Sequence, residues 1–94
     1  MISLERTGDA LRFTGALSRA GVATAWKQAL PLLAGGVRRF ELVGVSGVDS
    51  AGIALLAELA ARCEAAPVIE GDPPGLAELR AAYRLSPTLA FAST

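Results

Sequence analysis

The sequence predicts a single α/β (α+β) domain: a mixed sheet of about four strands with helices packed mainly on one side. Three observations predict it. The opening stretch alternates apolar and polar residues around a turn, two later segments carry apolar residues at helical spacing, and short aliphatic runs flank those segments in the order ββαβαβα. At 94 residues the chain is expected to be one domain, residues 1–94, with room for a two-layer core.

"ISLERTGDALRFTG" reads as two strands, Ile2 to Glu5 and Ala10 to Thr14, since Leu11 and Phe13 alternate with Arg12 and "TGD" signals a turn. From Val22 to Leu33, residues Val22, Ala25, Trp26, Ala29 and Leu33 share one helical face, opposite Thr24, Lys27 and Gln28. Pro31 falls near the end of that helix, where a lost donor costs less, and Ala34 to Gly36 terminate it. "VRRFELVGV" alternates weakly and is expected to be a central strand with both faces covered. A second helix is expected from Ser50 to Cys63, and "PVIEG" is a fourth short strand that a βαβ crossover delivers. Pro74 opens a short third helix with Leu76, Leu79 and Tyr83 on one face, and "SPTLAFAST" trails from it. Trp26 and Tyr83 lie on apolar faces and are assigned to the core, as is Cys63.

Composition narrows function. Nine basic against nine acidic residues give zero formal charge, so nucleic acid and anionic membrane are not expected partners. With no His and one Cys, Ser-His and Cys-His pairs, disulfides and a metal cluster are excluded by inventory, and no cofactor is expected. No apolar stretch reaches the roughly 18 residues that span a bilayer, and "MISLERTGDA" lacks the pattern of a signal peptide, so a cytoplasmic location without membrane insertion is expected. The 52% hydrophobic content is high for so small a domain, which suggests apolar surface reserved for a protein partner.

The chemistry concentrates in "VSGVDSAGIALL", residues 45–56. Asp49 or Ser50 suits the cap of the second helix, accepting from an otherwise unpaired N–H. Gly44, Gly47 and Gly52 read as an uncrowded turn where amides could meet an anion, but no Lys follows them as in a P-loop. On a wheel of roughly 100° per residue, Gly52, Leu55, Leu56, Leu59, Ala60 and Cys63 form the core face. Ala54, Ala57, Ala61 and Ala65 then point outward, relieved only by Glu58 and Arg62, an i,i+4 pair. Arg38 and Arg39 are expected to be solvated or paired with Glu41 or Glu70. An enzyme reading would need Asp49 as base and Ser50 as nucleophile, with the Asp49 pKa raised by desolvation.

At "FELVGVSGVDSAGIALLAEL" the sequence resembles the STAS domain family, whose hallmark is a central strand, a loop carrying Asp-Ser-Ser-Gly or a variant, and a helix of small and aliphatic residues. Asp49, Ser50 and Gly52 match the family positions, and Ala51 stands where sigma-regulating members carry the phosphoacceptor serine. The resemblance is therefore to the MlaB-like group. It implies a non-catalytic subunit on the ATPase of a phospholipid-trafficking ABC transporter that maintains outer-membrane lipid asymmetry. The partners implied are that ATPase, a permease and a substrate-binding subunit, at the inner face of the inner membrane. The implied partner-binding or regulatory loop is Asp49, Ser50, Ala51 and Gly52, and the helix face is Ala54, Ala57, Glu58 and Ala61. The alternative is an anti-anti-sigma factor (an anti-sigma factor antagonist) phosphorylated within residues 46–51, at Ser50 or Ser46.

Overall fold

The computed structural model describes residues 2–34 and 36–85. Its elements are β1 (Ser3–Thr7), β2 (Ala10–Leu17), α1 (Val22–Leu32), β3 (Arg39–Val48), α2 (Ser50–Ala61), β4 (Val68–Glu70) and α3 (Leu76–Ala82). The sheet order is β1-β2-β3-β4, antiparallel between the first two strands and parallel thereafter. The expected mixed four-stranded sheet is therefore present. The β1–β2 hairpin turns at Gly8, whose φ of +59° suits a tight two-residue loop.

Both long strands run further than expected, β2 to Leu17 and β3 to Val48, because their pairing absorbs irregularities. Arg12 pairs with Glu41 but Thr14 with Gly44, and Gly15 pairs with Val45 but Ala16 with Gly47. Each step places one extra residue on β3, which is a bulge. Gly44 and Gly47, read from sequence as turn residues, lie inside this strand. A Cβ on Gly44 would meet Phe13 O and Thr14 Oγ1 at 3.3 Å, so the tight pairing favours glycine there.

The bulges also explain the weak alternation of β3. Its buried residues are Phe40, Leu42, Val45 and Val48, spaced by two, three and three. They face the helices together with Leu11, Phe13 and Leu17 of β2, and the Phe13 and Phe40 rings meet edge-on at 5.5 Å. The expectation that both faces of β3 are covered is overturned. Val43 is 81% exposed, and Ser46 is exposed too. That open face carries a ladder of alternating charge: Glu5 to Arg12 at 3.8 Å, Arg12 to Glu41 at 3.1 Å, Arg39 to Glu41 at 3.8 Å and Arg39 to Glu70 at 3.2 Å. Arg39 also reaches Asp9 in the hairpin turn at 3.1 Å. Solvent-facing pairs of this kind each contribute about 0–1 kcal/mol, so they order the surface more than they stabilise it.

Helix α1 covers the β1 edge. Gln28 Oε1 accepts from the Leu4 N–H at 3.0 Å, and Arg6 Nη1 donates to Leu32 O at 2.6 Å and Ala34 O at 2.7 Å. One set of bonds thus occupies a free strand donor and the orphan carbonyls of a helix end. Helix α3 starts at Gly75, with φ +92° and no room for a Cβ beside Val48 O. The neighbouring Val48 N–H donates to Pro74 O at 3.0 Å, fastening this start to the end of β3.

Two aromatic assignments change. Leu76 is buried, but Tyr83 is 46% exposed, because α3 is only two turns long and Tyr83 is already its C-cap. Trp26 is half-buried, packed against the core. Cys63 is likewise only half-buried, since α2 ends at Ala61; burial still pushes its thiol pKa up. "SPTLAFAST", residues 86–94, lies outside the described residues.

The orientation of β3 can be checked directly. Val43→Lys should change stability by less than about 0.5 kcal/mol in urea titrations, whereas Leu42→Lys, which buries an unpaired charge, should prevent folding.

Candidate functional site

The site grows from one aspartate. Asp49 adopts an extended backbone, φ −104° and ψ −175°, and caps α2 by accepting from Gly52 N–H at Oδ1, 2.9 Å. Its other oxygen, Oδ2, accepts from the Arg19 N–H at 2.9 Å, and its own N–H donates to Leu17 O at 3.1 Å. The capping role read from sequence is therefore present, and it is doubled: the same side chain holds the β2–α1 loop against the start of α2. Nothing in the sequence near Asp49 signals the bond to Arg19, thirty residues away.

These bonds also set its electrostatics. The Arg19 amide first, then the Gly52 amide, stabilise the ionised carboxylate and hold its pKa below the ordinary value. A general base paired with Ser50 would need the opposite shift. Ser50 is exposed, and among the described residues its hydroxyl makes no hydrogen bond. The arrangement runs against the Asp49 base and Ser50 nucleophile.

Gly52 explains itself by packing. A Cβ there would overlap Leu17 O, with Leu17 C at 2.8 Å and Leu17 Cβ at 2.9 Å. The first turn of α2 thus rests on the backbone at the end of β2, an approach only glycine permits.

The face of α2 needs one correction. Ala54, Glu58 and Ala61 are exposed as expected, but Ala57 is only 7% exposed. Ile53, which the helical wheel left unassigned, is buried at 1%. The wheel assumed a helix lying on a sheet with one covered side. In the fold α2 lies between α1 and α3 and packs on both, so its Ile53–Ala57 flank is enclosed. The outward stripe narrows to Ser50, Ala54, Glu58 and Ala61, with Ala51 half-buried beside it.

Two shallow apolar hollows border that stripe. One, about 330 Å³, lies between α1 and α2 and is lined by Val22, Trp26, Ala51, Ala54, Leu55 and Glu58. The other, about 200 Å³, is lined by Ser50, Ile53, Ala54, Ala57, Tyr83 and Leu85. Ala54 is the ridge between them. The Arg62 guanidinium, expected to pair with Glu58, instead lies 4.9 Å from the Trp26 ring centroid, a cation–π contact that links α2 to α1. Sequence reasoning missed Trp26 and Tyr83 as walls of these hollows, since an aromatic on an apolar helix face ordinarily signals core.

Among the described residues no three His, Cys, Asp or Glu side chains gather to hold a metal, and no helix is long and apolar enough to cross a membrane. A family profile described as "Mlab, STAS domain" matches residues 1–89. No curated protein matches the chain.

Two outcomes follow from this geometry. Gly52→Ala should destabilise the domain by about 1–3 kcal/mol through overpacking on Leu17, measured by urea denaturation. Because the Asp49 pKa is lowered in the folded state, its contribution is complete above the unfolded carboxylate value of roughly 4 and is lost as pH falls toward the folded value. Thermal melts against pH should accordingly show a flatter acid limb for Asp49→Asn than for the parent chain.

Proposed function

The chain belongs to the STAS domain family, of the Mlab type, and from that premise we propose that it is a non-catalytic subunit of an ABC transporter for phospholipid trafficking. In this reading it docks on the ATPase subunit and supports or regulates it, within a complex that also holds a permease and a substrate-binding subunit. It acts at the cytoplasmic face of the inner membrane and serves outer-membrane lipid asymmetry.

The observation that carries the reading is the surface around Ala54. Ser50, Ala51, Ala54 and Ala61 present small side chains along a helix whose start is pinned by Asp49, and apolar hollows open on either side. Small residues on a rigid helix let a partner backbone approach closely, and the hollows can receive its apolar side chains, the anatomy of an interface centre. Ala51, at the position of the sigma-regulators' phosphoacceptor, supports the transporter role over the sigma-regulatory one, while the exposed Ser50 hydroxyl is the group on which the latter would have to act.

Ala54→Arg and Ser50→Asp should leave the melting temperature of the isolated chain unchanged, because both side chains are exposed. Each should weaken co-purification with an ABC-transporter ATPase subunit, Ala54→Arg by about 2 kcal/mol or more. Ala57→Arg should instead unfold the chain, because that position is enclosed. Wild-type affinity in the Ala54 and Ser50 variants would overturn the docking surface. Transfer of phosphate to Ser50 by a neighbouring anti-sigma kinase, read by intact mass, would replace the transporter reading with the sigma-regulatory one.

A further inference from the structure

The hollow between α1 and α2 has one large wall that no hydrogen bond fixes. Val22, Ala51, Ala54 and Leu55 line it with aliphatic side chains, Glu58 is the charged residue of the lining, and Trp26 is the aromatic one. The Trp26 ring is half-buried against the core. Its indole N–H makes no hydrogen bond among the described residues, although a buried indole N–H ordinarily finds an acceptor. Arg62 holds the ring from outside the hollow: its guanidinium lies 4.9 Å from the ring centroid and is not part of the lining. Arg62 is exposed at the C-cap of α2, and its side chain makes no ion pair among the described residues, Glu58 four residues before it included.

The ring thus borders both a charge that attracts its face and an apolar hollow of about 330 Å³ with room for an indole. On a helix two of the three χ1 wells are open to tryptophan. An exposed cation–π contact and the burial of part of an indole ring are of similar size, so loss of the first is enough to change which well the ring occupies. We propose that Trp26 is a gate on the α1–α2 hollow, held open by the Arg62 guanidinium and poised to swing in and fill the hollow when that contact is lost. Closing exchanges a half-exposed ring under a guanidinium for a buried one, and displaces only water from shallow apolar surface. Because the hollow borders Ala54, the gate sets how much apolar surface stands open beside the α2 stripe. It is a property of the free chain, so its failure leaves the docking reading above as it stands.

The chain holds one tryptophan, so native emission and its quenching by acrylamide read the Trp26 ring directly. Arg62→Met, which removes the charge and keeps an aliphatic stem, should move emission to shorter wavelength and lower the quenching constant about twofold. Arg62→Lys, which still offers the ring a cation, should stay close to the parent. In an Ala54→Leu background leucine takes the hollow, and there Arg62→Met should leave the ring outside, with quenching raised. Melting curves should show every variant folded, since Arg62 and Ala54 are both exposed. If Arg62→Met in the parent chain leaves quenching unchanged or raises it, the guanidinium only shields the ring and the gate is refuted. It is equally refuted if the shift to shorter wavelength survives Ala54→Leu.

Discussion

The candidate site depends on how closely the first turn of α2 approaches the end of β2. Gly52 sits against the Leu17 carbonyl with no space for a side chain, and the Asp49 N–H donates to that same carbonyl at 3.1 Å. The approach brings the β2–α1 loop within reach of the Asp49 side chain, so one carboxylate serves two segments. The Asp-Ser-Ala-Gly sequence thus has a packing reason at each end. Aspartate occupies the cap because two amides converge there, and glycine occupies the fourth position because backbone fills the space a Cβ would need. Of the two residues between them, Ser50 is exposed and Ala51 half-buried, so neither packing constraint fixes their identity.

Local features were legible in the sequence to the extent that local physics determines them. The hairpin, the α1 face with Ala25 and Ala29 buried, the cap at Asp49 and the core positions Leu56 and Leu59 all follow from periodicity and capping chemistry. The errors arise where a second element decides the outcome. Ala57 reads as outward on any isolated wheel and becomes enclosed only because α3 packs beside α2. Val43 reads as one more aliphatic residue of a covered strand, yet it alternates with the buried Phe40 and Leu42 and lies on the sheet face that the helices leave open. Tyr83 has the spacing of a core residue but falls at the end of a helix too short to cover it.

The open sheet face and the helical face solve opposite problems. Across the sheet, charges alternate from Glu5 to Glu70 and neutralise one another in pairs. Val43 and Val68 are the exposed large apolar side chains of the sheet strands among the described residues, which is ordinary for a protein surface. On the α2 side the apolar positions are contiguous, and the charges nearby are either sparse or occupied, as Arg62 is by Trp26. The surplus of hydrophobic residues in a neutral chain is thus resolved by position. Much of it fills the core, and part of the exposed remainder borders the two hollows beside Ala54.

A small domain that acts by contact gains from rigidity more than from area. Association costs entropy for every loop and side chain it must order. Around α2 little is left to order: alanine and serine have few rotamers to lose, and the loops at residues 18–21 and 49–52 are already bonded to each other through Asp49. The depressed Asp49 pKa is the electrostatic sign of the same preorganisation, because the amides that hold the loops also hold the charge. Asp49 therefore sets the shape of the two loops it joins, the start of α2 and the segment around Arg19.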